Sequence, residues 1–303
     1  MASFRVYNIQ LLPLDTKKTP EVGVDGYKKL FDQLADVFVN AHKNKTLVEN
    51  SYKLANDTYF SPFVILTNKS LAYGKWVKYH KAEAVIDLYT NKSLFEAAAD
   101  QEAVSNTFYF NFILDFEAHY FAIEELSGKL PSVAVLQKAL YALWKPIAEN
   151  IFPLHILTVN LVSQKRALEQ ALLEATGFRR VDVKVTFPNG HHLSRRLREM
   201  KENNVHVVKA EASSEKGSLM PKLPSFILEL VRASTHYGSS TFTYLKEKVA
   251  RKQIFSTEEY PEKISVRQKK SEQDAAFIER VRIKLRSMAG YKTVPIKNAK
   301  NDI

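Results

Sequence analysis

Residues 154–187 read LHILTVNLVSQKRALEQALLEATGFRRVDVKVTF, and the changes of period within them decide the fold class. Leu154 to Asn160 is a short apolar run and reads as a strand. Lys165 to Ala175 reads as a helix, with Gly177 where a C-terminal cap prefers glycine. Arg180 to Phe187 alternates with period two, which predicts a half-buried strand carrying Asp182 and Lys184 on one face. Strand, helix and strand in succession predict a βαβ-like middle to the chain.

Working outward, Phe4 to Leu12 predicts a strand bounded by Pro13, and residues 24–43 an amphipathic helix on Tyr27, Leu30, Phe31, Leu34, Val37, Phe38 and Ala41. Strands are expected near 47–55, 62–67, 72–79, 83–89, 106–114 and 117–124, and a helix over 132–149 that Pro146 should kink or end early. Beyond the opening stretch, a helix over 191–203 follows the turn Pro188-Asn189-Gly190, and 205–209 forms a strand. Residues 211–225 are small, polar and proline-bearing, which suits a loop or linker. The span 226–254 fits helix and strand equally. Ile264 to Arg267 reads as a short strand, and 271–288 as a helix with Ile278, Val281, Leu285 and Met288 inward. Together these predict an α+β fold: a strand-rich domain over 1–128, a basic α/β domain over 129–290, and a tail over 291–303.

The charge is lopsided. The net charge is +11, yet residues 1–178 hold 18 Lys+Arg against 19 Asp+Glu, while 179–292 hold 24 against 13. Arg5 and Arg166 are the only arginines before position 179; the other eleven run from Arg179 to Arg286. Guanidinium groups offer forked donors that match phosphate oxygens, so this enrichment points to a polyanion as partner. The candidate contacts are His191, Arg195, Arg196 and Arg198 on one helix, Lys246, Lys248, Arg251 and Lys252 in a second cluster, and Arg267, Lys269, Lys270, Arg280, Arg282, Lys284 and Arg286 at the end. Tyr237, Phe242 and Tyr244 lie beside the second cluster, where they either meet bases or join the core. The competing reading of all these cations is a solvated basic surface.

No cysteine is present, which excludes disulfides, cysteine–zinc sites and thiol catalysis and suits a reducing cytoplasm. The N-terminus lacks the pattern of a secretory leader, and no apolar run is long enough for membrane insertion. Phosphate loops, dinucleotide-binding glycine motifs and the common hydrolase motifs are absent. Two enzymatic alternatives come from spacing. Asp182 and Lys184 match the second half of a restriction-type nuclease motif, which would need Mg2+ and an upstream carboxylate that the sequence does not plainly supply, since Glu169 and Glu174 sit on the preceding helix and Asp115 is far away. Asp115, Glu117 and His119 share a face if their strand is regular and would then suit a metal, against an ordinary turn between strands. A third reading is an interaction subunit whose basic face receives an acidic partner.

The layout resembles a group of bacterial and phage accessory proteins of virus exclusion, which includes the Rex A protein of temperate phage and the Kiwa B subunit. The resemblance lies in a strand-rich start (FRVYNIQLLPL, then YFSPFVILTN), a βαβ-like middle and a basic end. It implies a dimeric DNA-binding protein of an anti-phage system without a demonstrated catalytic site. The charge pattern itself points to nucleic acid, DNA ahead of RNA, and the residues call for no cofactor. The resemblance carries no residue roles across.

Overall fold

A computed structural model describes residues 1–82, 84–98, 102–187, 195–246, 249–268 and 272–288. The fold is mixed α+β. In chain order the elements are β1 (Ala2–Pro13), α1 (Gly23–Lys43), β2 (Tyr52–Lys53), β3 (Thr58–Thr67), β4 (Leu71–Lys81), β5 (Ala84–Ile86), β6 (Ser93–Glu96), β7 (Val104–Asp115), β8 (Tyr120–Glu124), α2 (Val133–Ile151), β9 (His155–Leu161), α3 (Lys165–Glu174), β10 (Ala175–Thr186), α4 (Arg195–Glu202), β11 (Val207–Ser213), α5 (Ser225–Tyr237), β12 (Gly238–Lys246), β13 (Val249–Ser256), β14 (Lys263–Val266) and α6 (Asp274–Met288).

The first sheet runs β14-β1-β8-β7-β4-β3-β2, and β9 also pairs with β1. Every pairing is antiparallel. Alternation sends Tyr7, Ile9, Trp76, Phe112 and Phe121 to one face, where α1 and α2 cover them with Phe31, Leu34, Leu140 and Trp144. Phe4, Val6, Ile113 and Ala122 go to the other, where α6 lays down Phe277, Val281 and Leu285. The second sheet runs β11-β10-β12-β13. Val181, Val183, Val185, Phe242 and Phe255 pack with Leu168 of α3 and with Leu230 and Val231 of α5 to form a separate core.

The expected boundary at 129 does not divide the cores. Helix α2 and strand β9 belong to the first core, and β14 and α6 return from the end of the chain to the other face of the same sheet, where they build a further cluster with Phe4, Val6 and Ile113. The reason is pairing: β1 is long enough to take β14 along its first half and β9 along its second. The second core is thus an insertion spanning α3 to β13. Helix α2 also runs unbroken through Pro146. The carbonyl that Pro146 frees belongs to Ala142 on the exposed side, where water can satisfy it, while Trp144 and Ala148 hold the inner side. Gly177 is not a cap. Strand β10 starts directly after α3, and Gly177 sits at a register shift opposite Leu245, where a Cβ would come within 3.1 Å of Leu219. Among the described residues, the stretches 47–55 and 83–89 contain only the two-residue β2 and the short β5. The ambiguous span resolves into α5, β12 and β13.

At the β7–β8 turn His119 adopts a left-handed backbone (φ 59°) and packs its ring 4.6 Å from that of Tyr27. Burial lowers its pKa to about 4, against weaker opposing pulls from Asp115 and Glu117. An unfolded histidine titrates near ~6.5, so between that value and about 4 the unfolded chain binds a proton that the folded chain refuses. Stability therefore falls as pH drops through that window. Asparagine tolerates this backbone region. We expect His119→Asn to remove on the order of 2 kcal/mol of the acid-induced loss, read as urea unfolding of both proteins at pH 7 and pH 4.5.

Candidate nucleic-acid interface

Helices cover only one face of the second sheet. On the other, period two turns outward the exposed Arg180 and Lys184 and the half-buried Asp182 of β10, the exposed Lys209 and Glu211 of β11, and the half-buried Ser239 and Thr241 of β12. The register aligns them in rows: Asp182 lies between Glu211 and Thr241, and Lys184 between Lys209 and Ser239. The two rows line a shallow concavity of about 410 Å³. Gly238 fixes the lysine row, because a Cβ there would come within 1.9 Å of the Lys184 carbonyl oxygen.

The two rows differ in neutralisation. The Arg180 guanidinium donates to both Asp182 oxygens, at 2.8 and 2.9 Å, and lies 3.3 Å from Glu211. Lys184 and Lys209 stand opposite each other with no carboxylate at ion-pair distance among the described residues. Like charges directly opposite across two strands destabilise the pair. The lysine row sits at the end of the sheet where β10 leaves and β11 enters, and α4 is the link between them. On α4, Leu197 is buried while Arg196 and Arg198 are exposed. Four cations thus belong to one end of this unit.

The arginines of α6 do something else. Asp115 is fully buried at the β7–β8 turn. One of its oxygens accepts the backbone N–H groups of Glu117 and Ala118. The other accepts from Arg282 Nε at 2.8 Å and lies 3.7 Å from Arg286 Nη1. Arg286 also donates to Glu117 at 2.6 Å. Burial opposes the charge on Arg282, but Asp115 outweighs it and holds the guanidinium pKa above the usual arginine value. Arg280 is clamped by Glu272 and the Arg267 carbonyl, and Lys284 donates to the Ser265 carbonyl. Elsewhere Arg232 pairs with Glu169, Lys246 with Glu174, and Arg179 holds the loop at Ser214 and Ser218.

Of the expected contacts, the structure therefore leaves Arg196, Arg198, Lys252 and Arg267 exposed. It turns Lys246, Arg280, Arg282, Lys284 and Arg286 to internal partners. His191, Lys248, Lys269 and Lys270 lie outside the described residues, as do the side chains of Arg195 and Arg251. Phe242 and Tyr244 are buried and Tyr237 packs on the same core, so these rings are core and not stacking platforms. Lys209 falls at the end of the strand expected over 205–209 but is not marked there, because the row it forms with Lys184 and Ser239 appears only with the strand register.

The enzymatic constellations do not assemble. Arg180 occupies Asp182, and Glu169 and Glu174 are engaged by Arg232 and Lys246. Asp115, Glu117 and His119 share no face, because the chain turns between them and His119 packs on Tyr27. Among the described residues no three His, Asp or Glu side chains converge as metal ligands. Nor is any described helix long and apolar enough to cross a membrane.

The molecule is thus an α+β protein with one sheet packed on both faces and a second sheet that is open and cation-bearing on one face. It matches a protein family over residues 3–284 and belongs to that family, described as a domain of unknown function (DUF4747). No curated protein matches the chain.

Removing one partner of a buried ion pair strands the other charge. Arg282→Met should destabilise the fold by about 3 kcal/mol, measured by chemical denaturation. Exposed Arg267→Met should shift it by less than about 0.5 kcal/mol.

Proposed function

We propose that the protein binds nucleic acid through the α4 end of the second sheet, with phosphates held by Arg196, Arg198, Lys184 and Lys209. One observation carries the reading: these four cations have no carboxylate partner among the described residues, whereas the arginines of α6 do. Lysines facing each other on a bare sheet are relieved by an anion placed between them, and the neighbouring Ser239 hydroxyl adds a donor. Binding of this kind is largely electrostatic, follows the backbone and carries modest sequence preference. Duplex DNA is the first ligand to test, with RNA of the same sequence beside it. The resemblance to virus-exclusion proteins extends the proposal to a cytoplasmic role in limiting phage.

The test separates the two groups of cations. Arg196→Glu with Arg198→Glu should abolish DNA retardation at moderate salt. The neutral pair Arg196→Gln with Arg198→Gln should flatten the dependence of log K on log salt by roughly two. Arg232→Gln, which removes a cation already paired with Glu169, should leave both unchanged. Full retention of binding by a folded Arg196→Glu/Arg198→Glu protein overturns the proposal.

A further inference from the structure

Strand β11 closes the second sheet on one side, and among the described residues only β10 pairs with it. Every second residue of an edge strand turns its N–H and C=O outward, and natural edges are commonly blunted by proline, a bulge, shortness or charged side chains. Strand β11 has none of the first three, and its two charges, Lys209 and Glu211, are of opposite sign and so can pair with a second copy. Its seven residues, VVKAEAS, include no proline or glycine, and its register against β10 is unbroken from Val207 to Ser213.

We propose that β11 pairs antiparallel with β11 of a second copy about a twofold axis at Ala210, joining two four-stranded sheets into one. Three observations select this occupant and register. First, the open face must continue across the junction, because a shift by one residue would set the open face of one copy against the core face of the other. Second, among the allowed registers, centring on Lys209 puts lysine opposite lysine and centring on Glu211 puts glutamate opposite glutamate. Only Ala210 sets Lys209 opposite the Glu211 of the second copy, twice by symmetry, while using the whole strand. Third, this register offsets the lysine row within one copy. Lys209 faces Lys184 on its inner side and would face a carboxylate on its outer side, while Glu211, 3.3 Å from Arg180, would gain a second cation. On the core face the half-buried Val208 would meet Ala212, extending the apolar layer.

The inference does not rest on nucleic-acid binding: in the dimer Lys209 is shared with Glu211 of the second copy, and Lys184, Arg196 and Arg198 keep no carboxylate partner among the described residues; its readout is mass. Sedimentation of the full chain should show a concentration-dependent dimer. Lys209→Glu and Glu211→Lys should each weaken it by about tenfold or more, because each sets like charges across the axis. Each single variant should therefore run as a monomer at concentrations where the wild type is dimeric. Mixing the two should produce a heterodimer, since Lys209→Glu then meets Glu211→Lys across the junction, and one chain with both changes should dimerise again. Both positions are exposed, so the recovery arms also report that the variants are folded. A monomer at every attainable concentration overturns the proposal. So does a dimer indifferent to the single changes, or the absence of heterodimer on mixing.

Discussion

The buried carboxylate of Asp115 is the constraint on which the arrangement of the chain's end depends. A charge with no exposure is tolerated only when paired and hydrogen-bonded. Asp115 meets that demand with two backbone N–H groups of its own turn and with Arg282, and Arg286 lies close by. The partners are 167 residues apart along the chain. The contact therefore shapes the β7–β8 turn and fixes the angle at which α6 crosses the first sheet. Phe277, Val281 and Leu285 supply the apolar contact, and the ion pair sets its register.

That constraint also redistributes the charge. The basic third of the sequence splits into cations spent on internal partners and cations left outside. Arg280, Arg282 and Arg286 find carboxylates, and Arg232 and Lys246 do the same on the second unit. What remains outward at the α4 end is smaller than the count of basic residues suggests, but it is local. The topology concentrates it: β10, α4 and β11 are consecutive, so the lysine row and the α4 arginines are delivered to the same end of one sheet. The bare face follows from the same topology, since α3 and α5 both pack on the other side.

Much of the fold is legible in the residues. The stripe on α1, the alternation in β1 and β10 and the apolar positions of α6 all appear where periodicity puts them, because burial on one face imposes the period directly. Where local signals failed, tertiary packing overrode them. Pro146 is carried by a helix whose inner side is fully engaged, and Gly177 serves a bulge against Leu219 instead of a cap. The linker-like 211–225 begins inside β11 because β10 offers an edge to extend along. The candidate site was legible only in part. Arg196 and Arg198 stood out as a basic run, while Lys209 is one lysine among many until the register sets it opposite Lys184.

By itself, the sequence determined the α+β class, the absence of thiol chemistry and the concentration of positive charge beyond residue 178, since each depends on composition or local period alone. Only the tertiary structure decided which cations are available. Whether an arginine is a ligand-binding group or half of an internal ion pair depends on what lies within about 4 Å of it. For Arg282 that neighbour is Asp115, brought from the far side of the chain by sheet pairing that no local pattern encodes.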